Sequence, residues 1–359
     1  MQLWIYIVVP DGAFSMRDTL KKILGRAVNA PSGDNSQPWR FALEENTISV
    51  FNVPGADETL YNFRERGSYF AHGALVENIC LVASVEGLEA SVHAFPGDTD
   101  CTARIIFENS SAPADPLSAF LEKRCTNRKP YELRALTPKD TNVLHGAVKG
   151  PVELKLVEGD AVRFVAAQVS VNERIVMENR ALHDFLFGMI RLNPEEERRK
   201  PGLNIDTMEF PPPQRFALKF LKYWNIVQAL NLIGFSRLAP KGSAVAFSAS
   251  GALGVLIIQG ESDTDFFTAG RAFERLWLAA TGSGVSIQPL AALPYLFQRV
   301  RVRETDTLSA KHIGLIKEAY GNICRAFGAD SGDTIAMLFR LGYGPEPTAR
   351  SLKLPPRIT

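Results

Sequence analysis

Between residues 16 and 30 the apolar positions Leu20, Ile23, Leu24 and Ala27 recur at helical spacing, which predicts a helix with one buried stripe that stops at Pro31. Residues 40–53 instead alternate about Glu45 and Asn46, the pattern of a two-stranded hairpin. The helical period returns over 71–92, with Leu75, Ile79, Val82 and Val85 expected inward and Gly87 as the stop. A strand is expected at 103–108. Thr137 and Pro138 then mark a helix start, and 161–191 reads as one long helix. Residues 193–213, with PEEERRKPG and PPP, read as an irregular loop. Residues 214–238 read as an amphipathic helix rich in Phe and Leu, with Tyr223 and Trp224; its stripe is expected to be buried rather than to meet a membrane or a partner. The uncharged run 243–259 reads as a Ser- and Ala-rich loop leading into a buried strand rather than as a membrane span. A last strand is expected at 336–341. The opening MQLWIYIVVP lacks the basic start and cleavage site of a signal peptide and is expected to be an edge strand.

One of these helix patterns occurs twice. AHGALVENICLVASVEGL (71–88) aligns without a gap on AGRAFERLWLAATGSGV (269–285), matching Gly73 with Gly270, Glu77 with Glu274, Leu81 with Leu278, Ala83 with Ala280 and Gly87 with Gly284. A strand-like segment containing proline follows each copy. Such repetition predicts two related α+β halves folded against each other as an intramolecular pseudo-dimer: 1–119 and 120–359, with an insertion at about 193–245 in the second half. That insertion is expected to form a helical lid.

The densest chemistry lies in AVNAPSGDNSQPWRF, residues 27–41. Ser32, Gly33, Asp34 and Asn35 suit tight or left-handed turns that expose backbone N–H groups. Gln37, Pro38 and Trp39 then place a carboxamide and a large aromatic at a loop-to-strand junction. Such a loop can hydrogen-bond the edge of a planar, polar heterocycle. The second notable string is CTNRKPYELR and its surroundings, where Arg124, Thr126 and Arg128 alternate with Cys125 and Asn127. In an extended segment this sets two guanidiniums and a hydroxyl on one side, a trio suited to a phosphate, although a solvated basic connector is the commoner fate of such a run.

The first string resembles the APSxxNxQPWxF segment of the nitroreductase family of FMN-dependent oxidoreductases, and the second resembles that family's RxSxR segment, with Pro130 and Tyr131 following. The resemblance is to the single-chain, internally duplicated Acg-like branch. It implies a nitroreductase-like fold and one FMN site shared between the halves. Arg124 and Thr126 are implied at the phosphate and Arg128 at the N1/O2 edge of the flavin. Pro31, Ser32, Gly33, Asn35 and Gln37 are implied from the first half. Gln288, Pro289 and Leu290, in SIQPLAALPYLF, are implied as a loop passing the ring. Arg350 is implied as a late phosphate ligand, with Arg340 as runner-up. No side chain is implied as a catalytic nucleophile, because flavin N5 carries the chemistry. The implied activity is NAD(P)H-dependent, ping-pong reduction of a small-molecule acceptor such as a nitroaromatic, quinone or enone. The alternatives are an FMN-sequestering stress protein, or a specialised flavin-dependent dehydrogenase or oxidase.

Composition adds limits. The 359 residues are 46% hydrophobic with a formal charge of +1, so a sizeable core is expected and a broad basic surface for nucleic acid or membrane is not. Cys80, Cys101, Cys125 and Cys324 are scattered without metal-ligand spacing and are expected as free thiols in a reducing, cytoplasmic setting. No metal site is expected. HExxH, GxSxG, P-loop and complete GxGxxG motifs are missing, and the five dispersed histidines are expected in structural or surface roles. Either a monomeric pseudo-dimer or a homodimer is compatible with this reading.

Overall fold

Two four-stranded antiparallel sheets with the same strand plan organise the molecule. The computed structural model describes residues 15–97, 100–200, 202–330 and 332–359; the edge strand expected at 1–10 lies outside them. Helix α1 (Met16–Ala27) starts at Ser15, whose hydroxyl accepts from the Asp18 backbone N–H, and buries the expected stripe. Strands β1 (Trp39–Glu44) and β2 (Thr47–Asn52) form the expected hairpin, with Glu44 opposite Thr47. Helix α2 (Arg66–Val85) begins earlier than expected, and residues 88–94 are strand β3 (Leu88–Ala94) rather than its continuation. The reversal is at Gly87, whose φ of 71° a helix cannot accept. Val85, expected inward, is 43% exposed. With β4 (Cys101–Asn109) the first sheet runs β1-β2-β4-β3.

The second unit opens with α3 (Pro138–Ala147), capped by Thr137 as expected, and β5 (Glu153–Val157). The long helix expected over 161–191 is three: α4 (Asp160–Val169), α5 (Val171–Glu178) and α6 (Arg180–Met189). Asn179 causes the second break, because its extended backbone frees its side chain to accept from the Leu182 N–H and cap the next helix. The expected irregular loop is partly ordered. Strand β6 (Ile190–Arg191), helix α7 (Pro194–Arg199) and strand β7 (Leu203–Asn204) form a small unit in which β6 and β7 pair in parallel. The helix expected at 214–238 is likewise divided into α8 (Pro212–Leu221) and α9 (Trp224–Leu232), followed after Gly234 by α10 (Phe235–Ser248). Helix α10 occupies 243–248, expected as loop. The burial expected for this stripe fails at α8, which buries none of its residues.

Strand β8 (Ala252–Ile258) is buried at every position, as expected for the end of the uncharged run. Helix α11 (Asp263–Gly282), β9 (Ser286–Pro289), α12 (Ala292–Arg301), α13 (Ala310–Phe327) and β10 (Thr334–Gly342) complete the unit, whose sheet runs β5-β8-β10-β9. In both sheets the second and fourth strands are central, the first and third are at the edges, and a long helix joins second to third. Those helices, α2 and α11, pack on each other.

Their contact is reciprocal. A Cβ on Gly73 would stand 1.9 Å from the Phe267 carbonyl oxygen, and one on Gly270 would stand 1.9 Å from that of Phe70. Phe267 belongs to the core of the first unit and Phe70 to that of the second, so each helix sends an aromatic into the other unit's core. Residues 63–85, long and apolar enough to cross a membrane, are mostly buried and serve here as a core helix. The C-terminal tail crosses back, with Phe41 N–H donating to the Arg357 carbonyl and Thr359 N–H to that of Phe41, each at 2.8 Å.

Gly73→Ala and Gly270→Ala are each expected to destabilise by about 3 kcal/mol, because an added methyl must push two backbones apart. Gly25→Ala, on an open face of α1, is expected to stabilise by roughly 0.5–1 kcal/mol. Chemical denaturation midpoints of the three variants check both signs.

Candidate functional site

The loop after α1 is the most strained backbone of the site. Asp34, Asn35 and Gln37 adopt φ of 46°, 60° and 51°, in the left-handed region that the Ser-Gly-Asp-Asn string was expected to supply. Several bonds hold it. Gln37 N–H donates to Ser32 Oγ at 3.0 Å, and Asn35 Nδ2 donates to the Leu352 carbonyl at 2.9 Å. At the loop exit, His72 donates from Nε2 to the Pro38 carbonyl at 2.8 Å, and its other nitrogen lies 2.6 Å from Thr102 Oγ1. Burial pushes the His72 pKa down to about 4, so the imidazole is neutral and structural, as expected.

The connector faces this loop. Thr126 forms a parallel bridge with Ile287, which draws the segment alongside β9. Asn127 turns away and bonds Ser286 Oγ and the Pro345 carbonyl, each at 2.9 Å. Arg124 is buried with its guanidinium 4.5 Å from the Trp277 ring centre and its Nε 3.1 Å from the Glu274 carboxylate. Arg128 donates to the Thr207 carbonyl at 3.0 Å.

Between loop, connector and the residues after α11 lies a cavity of about 590 Å³, within the range of small-molecule and cofactor sites. Pro31, Ser32, Gly33, Asn35, Arg124, Thr126, Arg128, Gln288, Pro289, Leu290 and Arg350 all line it. Gln37 does not. It is 4% exposed, and its Oε1 accepts from the Leu354 N–H at 2.9 Å, so its carboxamide fixes the C-terminal tail instead of facing a ligand. Arg350 stands at the rim and donates to the carbonyls of Glu122 and Lys123. Arg340, the runner-up, is outside the wall: it donates to Gln288 Oε1 at 2.7 Å and to the Lys129 carbonyl at 2.9 Å, and lies 4.0 Å over Tyr131. Its role is to fix Gln288 and the connector.

Phe70, Phe273 and Trp277 give the cavity an apolar floor, and Met177, Phe185, Phe187, Met208 and Phe247 cover it from the helical segment 177–247. The cover therefore begins in α5 rather than at residue 193.

Five charged residues of the wall were not among the expected site residues: Asp34, Asp57, Glu122, Glu173 and Lys353. Asp34 was inside the recognised loop and Lys353 close behind Arg350, whereas Asp57 and Glu173 carried no motif. Burial, with the nearby Asp34 carboxylate, pushes Asp57 up to about 7. Gly33 admits this group, since a Cβ there would meet Asp57 Oδ2 at 2.9 Å. Burial alone raises Glu173 to about 7. Lys353 donates to the Ala30 carbonyl at 2.7 Å and to Asn35 Oδ1 at 3.0 Å, and burial aided by the Arg124 charge lowers its pKa to about 7. The cavity thus has a cationic end, with Arg124, Arg350 and Lys353, and a carboxylate end, with Asp34, Asp57 and Glu173; Arg128 lies close enough to Asp34 to be attracted by it.

No family model matches the chain. It is 22% identical over 354 residues to "Uncharacterized protein MT1398" of Mycobacterium tuberculosis, covering 97% of this chain and 49% of that protein. "Putative NAD(P)H nitroreductase acg" of the same organism is 26% identical over 186 residues, covering 47% of this chain and 53% of its own length. "Putative NAD(P)H nitroreductase Rv3131" is 27% identical over 161 residues, covering 43% and 47%. The chain spans about half the length of the curated relatives it matches. Among solved structures, the FMN-dependent nitroreductase NfnB from Mycobacterium smegmatis in complex with NADPH aligns with a TM-score of 0.36 at 14% identity, over 64% of this chain and 87% of that one, a likeness too loose to carry function. What these comparisons give is similarity in sequence, over a little under half of the chain, to proteins named as putative NAD(P)H nitroreductases.

Proposed function

We propose that the cavity binds FMN and that the chain is an FMN-dependent oxidoreductase, taking electrons from NAD(P)H and giving them to a small electron-poor acceptor. The observation that carries this reading is the meeting of loop 31–35 with Arg124, Thr126, Arg128, Arg350 and Lys353 around one cavity. These residues fit the cofactor. The cationic end sets Arg124, Arg350 and Lys353 against two buried acids, Glu274 and Glu197, and Lys353 is poised to lose its proton there unless an anion arrives. A phosphate is such an anion, bound by guanidinium and ammonium groups with the Thr126 hydroxyl adding a donor. The apolar floor and the strained loop suit a flat ring with a polar edge.

When bound, FMN supplies hydride transfer at N5. The chain's part is to hold the phosphate with Arg124, Thr126, Arg350 and Lys353, and to set positive charge at the ring's polar edge with Arg128. That charge favours the electron-rich form. The loop 31–35 and residues 288–290 fix the ring's orientation, and the helical cover limits water and access. On this reading the units 1–119 and 120–359 are related halves that build the site between them, as two subunits of a dimer would.

A second reading has its own support. The aromatic and methionine side chains of the cover line the cavity opposite the floor, which suits a protein that sequesters flavin. Anaerobic NADPH separates the two. A yellow protein that bleaches, then recovers on adding a nitroaromatic or a quinone, is the expected outcome; flavin that stays oxidised favours sequestration, and a protein that takes up no FMN on reconstitution ends both.

Two changes probe the cations of the cavity. Arg124→Ala is a poor probe because it leaves Glu274 buried without its partner. Lys353→Met and Arg128→Ala are each expected to weaken FMN binding about tenfold, near 1.4 kcal/mol, in a fluorescence titration. Lys353 also sets a pH dependence. Its pKa of about 7 in the free protein rises when a phosphate binds, so binding takes up a proton above pH 7 and affinity falls as pH climbs from there. Calorimetry in buffers of different ionisation enthalpy is expected to show this uptake in the wild type and not in Lys353→Met.

A further inference from the structure

We propose that the outer face of the helical cover, formed by α8, α9 and α10, docks on the surface of an anionic lipid bilayer. The inference stands on the cover's own surface and is independent of what fills the cavity beneath it. Residues 210–260 hold Arg215, Lys219, Lys222, Arg237 and Lys241 and not one Asp or Glu, in a chain whose charges otherwise balance to +1. Arg215 is answered by Asp206, 2.6 Å away. Lys219, Lys222, Arg237 and Lys241 are exposed, and no acidic partner meets them among the described residues.

The same helices expose large apolar side chains. Phe216, Phe220 and Tyr223 are 61%, 47% and 55% exposed at helical spacing on and just after α8, with the two Phe rings in edge contact 5.2 Å apart. Leu232 and Ile233, at the turn from α9 to α10, are 89% and 81% exposed, and Leu238 on α10 is 57% exposed. These helices and the turns between them carry more than half of the large exposed apolar side chains of the described residues. Their other side is spoken for, because Leu218, Ser243 and Phe247 line the cavity. The stripe that ordinarily packs on a core has been left facing out.

The charge decides the occupant. A second copy of this chain, meeting the first across a two-fold axis, would bring one acid-free cationic patch against another. An anionic bilayer satisfies both parts: its headgroups attract the lysines and arginines, while Phe, Tyr and Leu insert at the level where amphipathic helices lie. No spanning segment is needed, and the one helix long enough to span is packed inside the fold.

The test is co-sedimentation of the full chain with vesicles of phosphatidylcholine alone and of phosphatidylcholine mixed with phosphatidylglycerol. At low salt, binding to the mixed vesicles is expected to exceed binding to the neutral ones by about tenfold or more and to fall as salt shortens the screening length. The double variants Lys219→Glu/Lys222→Glu and Phe216→Ser/Phe220→Ser, all at exposed positions, are each expected to reduce it about tenfold with unchanged circular dichroism and melting temperature. Binding that is absent, or equal on both vesicles, overturns the proposal. So does a dimer in sedimentation velocity that dissolves in Phe216→Ser/Phe220→Ser while the wild type ignores vesicles, which makes the patch a self-contact.

Discussion

The crossing of α2 and α11 is the constraint on which the rest of the structure depends. Gly73 and Gly270 let each helix touch the backbone of the other, at the carbonyls of Phe267 and Phe70. At that separation a methyl group has no room, so the two units are held at one distance and angle. Further along, the same pair sets its buried acids. Glu77 accepts from Arg271 and Arg275 at 2.8 Å each, and Glu274 pairs with Arg124. One acid therefore fixes helix to helix and the other fixes a helix to the connector. The relation between Gly73 and Gly270 repeats for Phe70 with Phe267 and for Glu77 with Glu274, all at one spacing in the sequence.

The cavity follows from that crossing but does not share its symmetry. Its loop follows α1, its connector precedes α3, and its cover comes from residues 177–247 only. Charge is segregated along it. Burial first, and then the like charge of a neighbour, explains why Asp57 retains its proton more firmly than an ordinary carboxyl and Lys353 less firmly than an ordinary amine. A ligand with an anionic end relieves Lys353 and Arg124 and lies away from the carboxyl end, where burial raises Asp34, Asp57 and Glu173.

What the sequence made legible was local or repeated. The loop string, the alternation through Arg124, Thr126 and Arg128, the hairpin turn and the doubled helix are each readable within a few residues, and the structure brings all but Gln37 of the expected residues to the cavity. What it hid depends on partners far along the chain. Gln37 is spent on Leu354 and Leu352, more than three hundred residues away. Asp57 and Glu173 lie in unremarkable stretches, and only the fold reveals that they are enclosed. The cover misled for another reason. Periodicity reports that a helix has an apolar face but not what that face meets, and breaks at Asn179 and Gly234 arise from single residues inside otherwise continuous patterns.

The tail explains how the strained loop persists. Three left-handed residues within four positions cost free energy that the loop's own bonds do not obviously recover. Leu352 accepts from Asn35, Leu354 donates to Gln37, and Lys353 spans Ala30 and Asn35, so three successive tail residues grip the loop from one side. The tail is in turn anchored to β1 through Phe41 and at its start by Arg350 on the connector's carbonyls. Loop, connector and tail are therefore one mechanical unit. The side chain best placed to meet an anion, Lys353, belongs to the segment that holds the loop in shape, so ligand charge and loop geometry bear on the same residue.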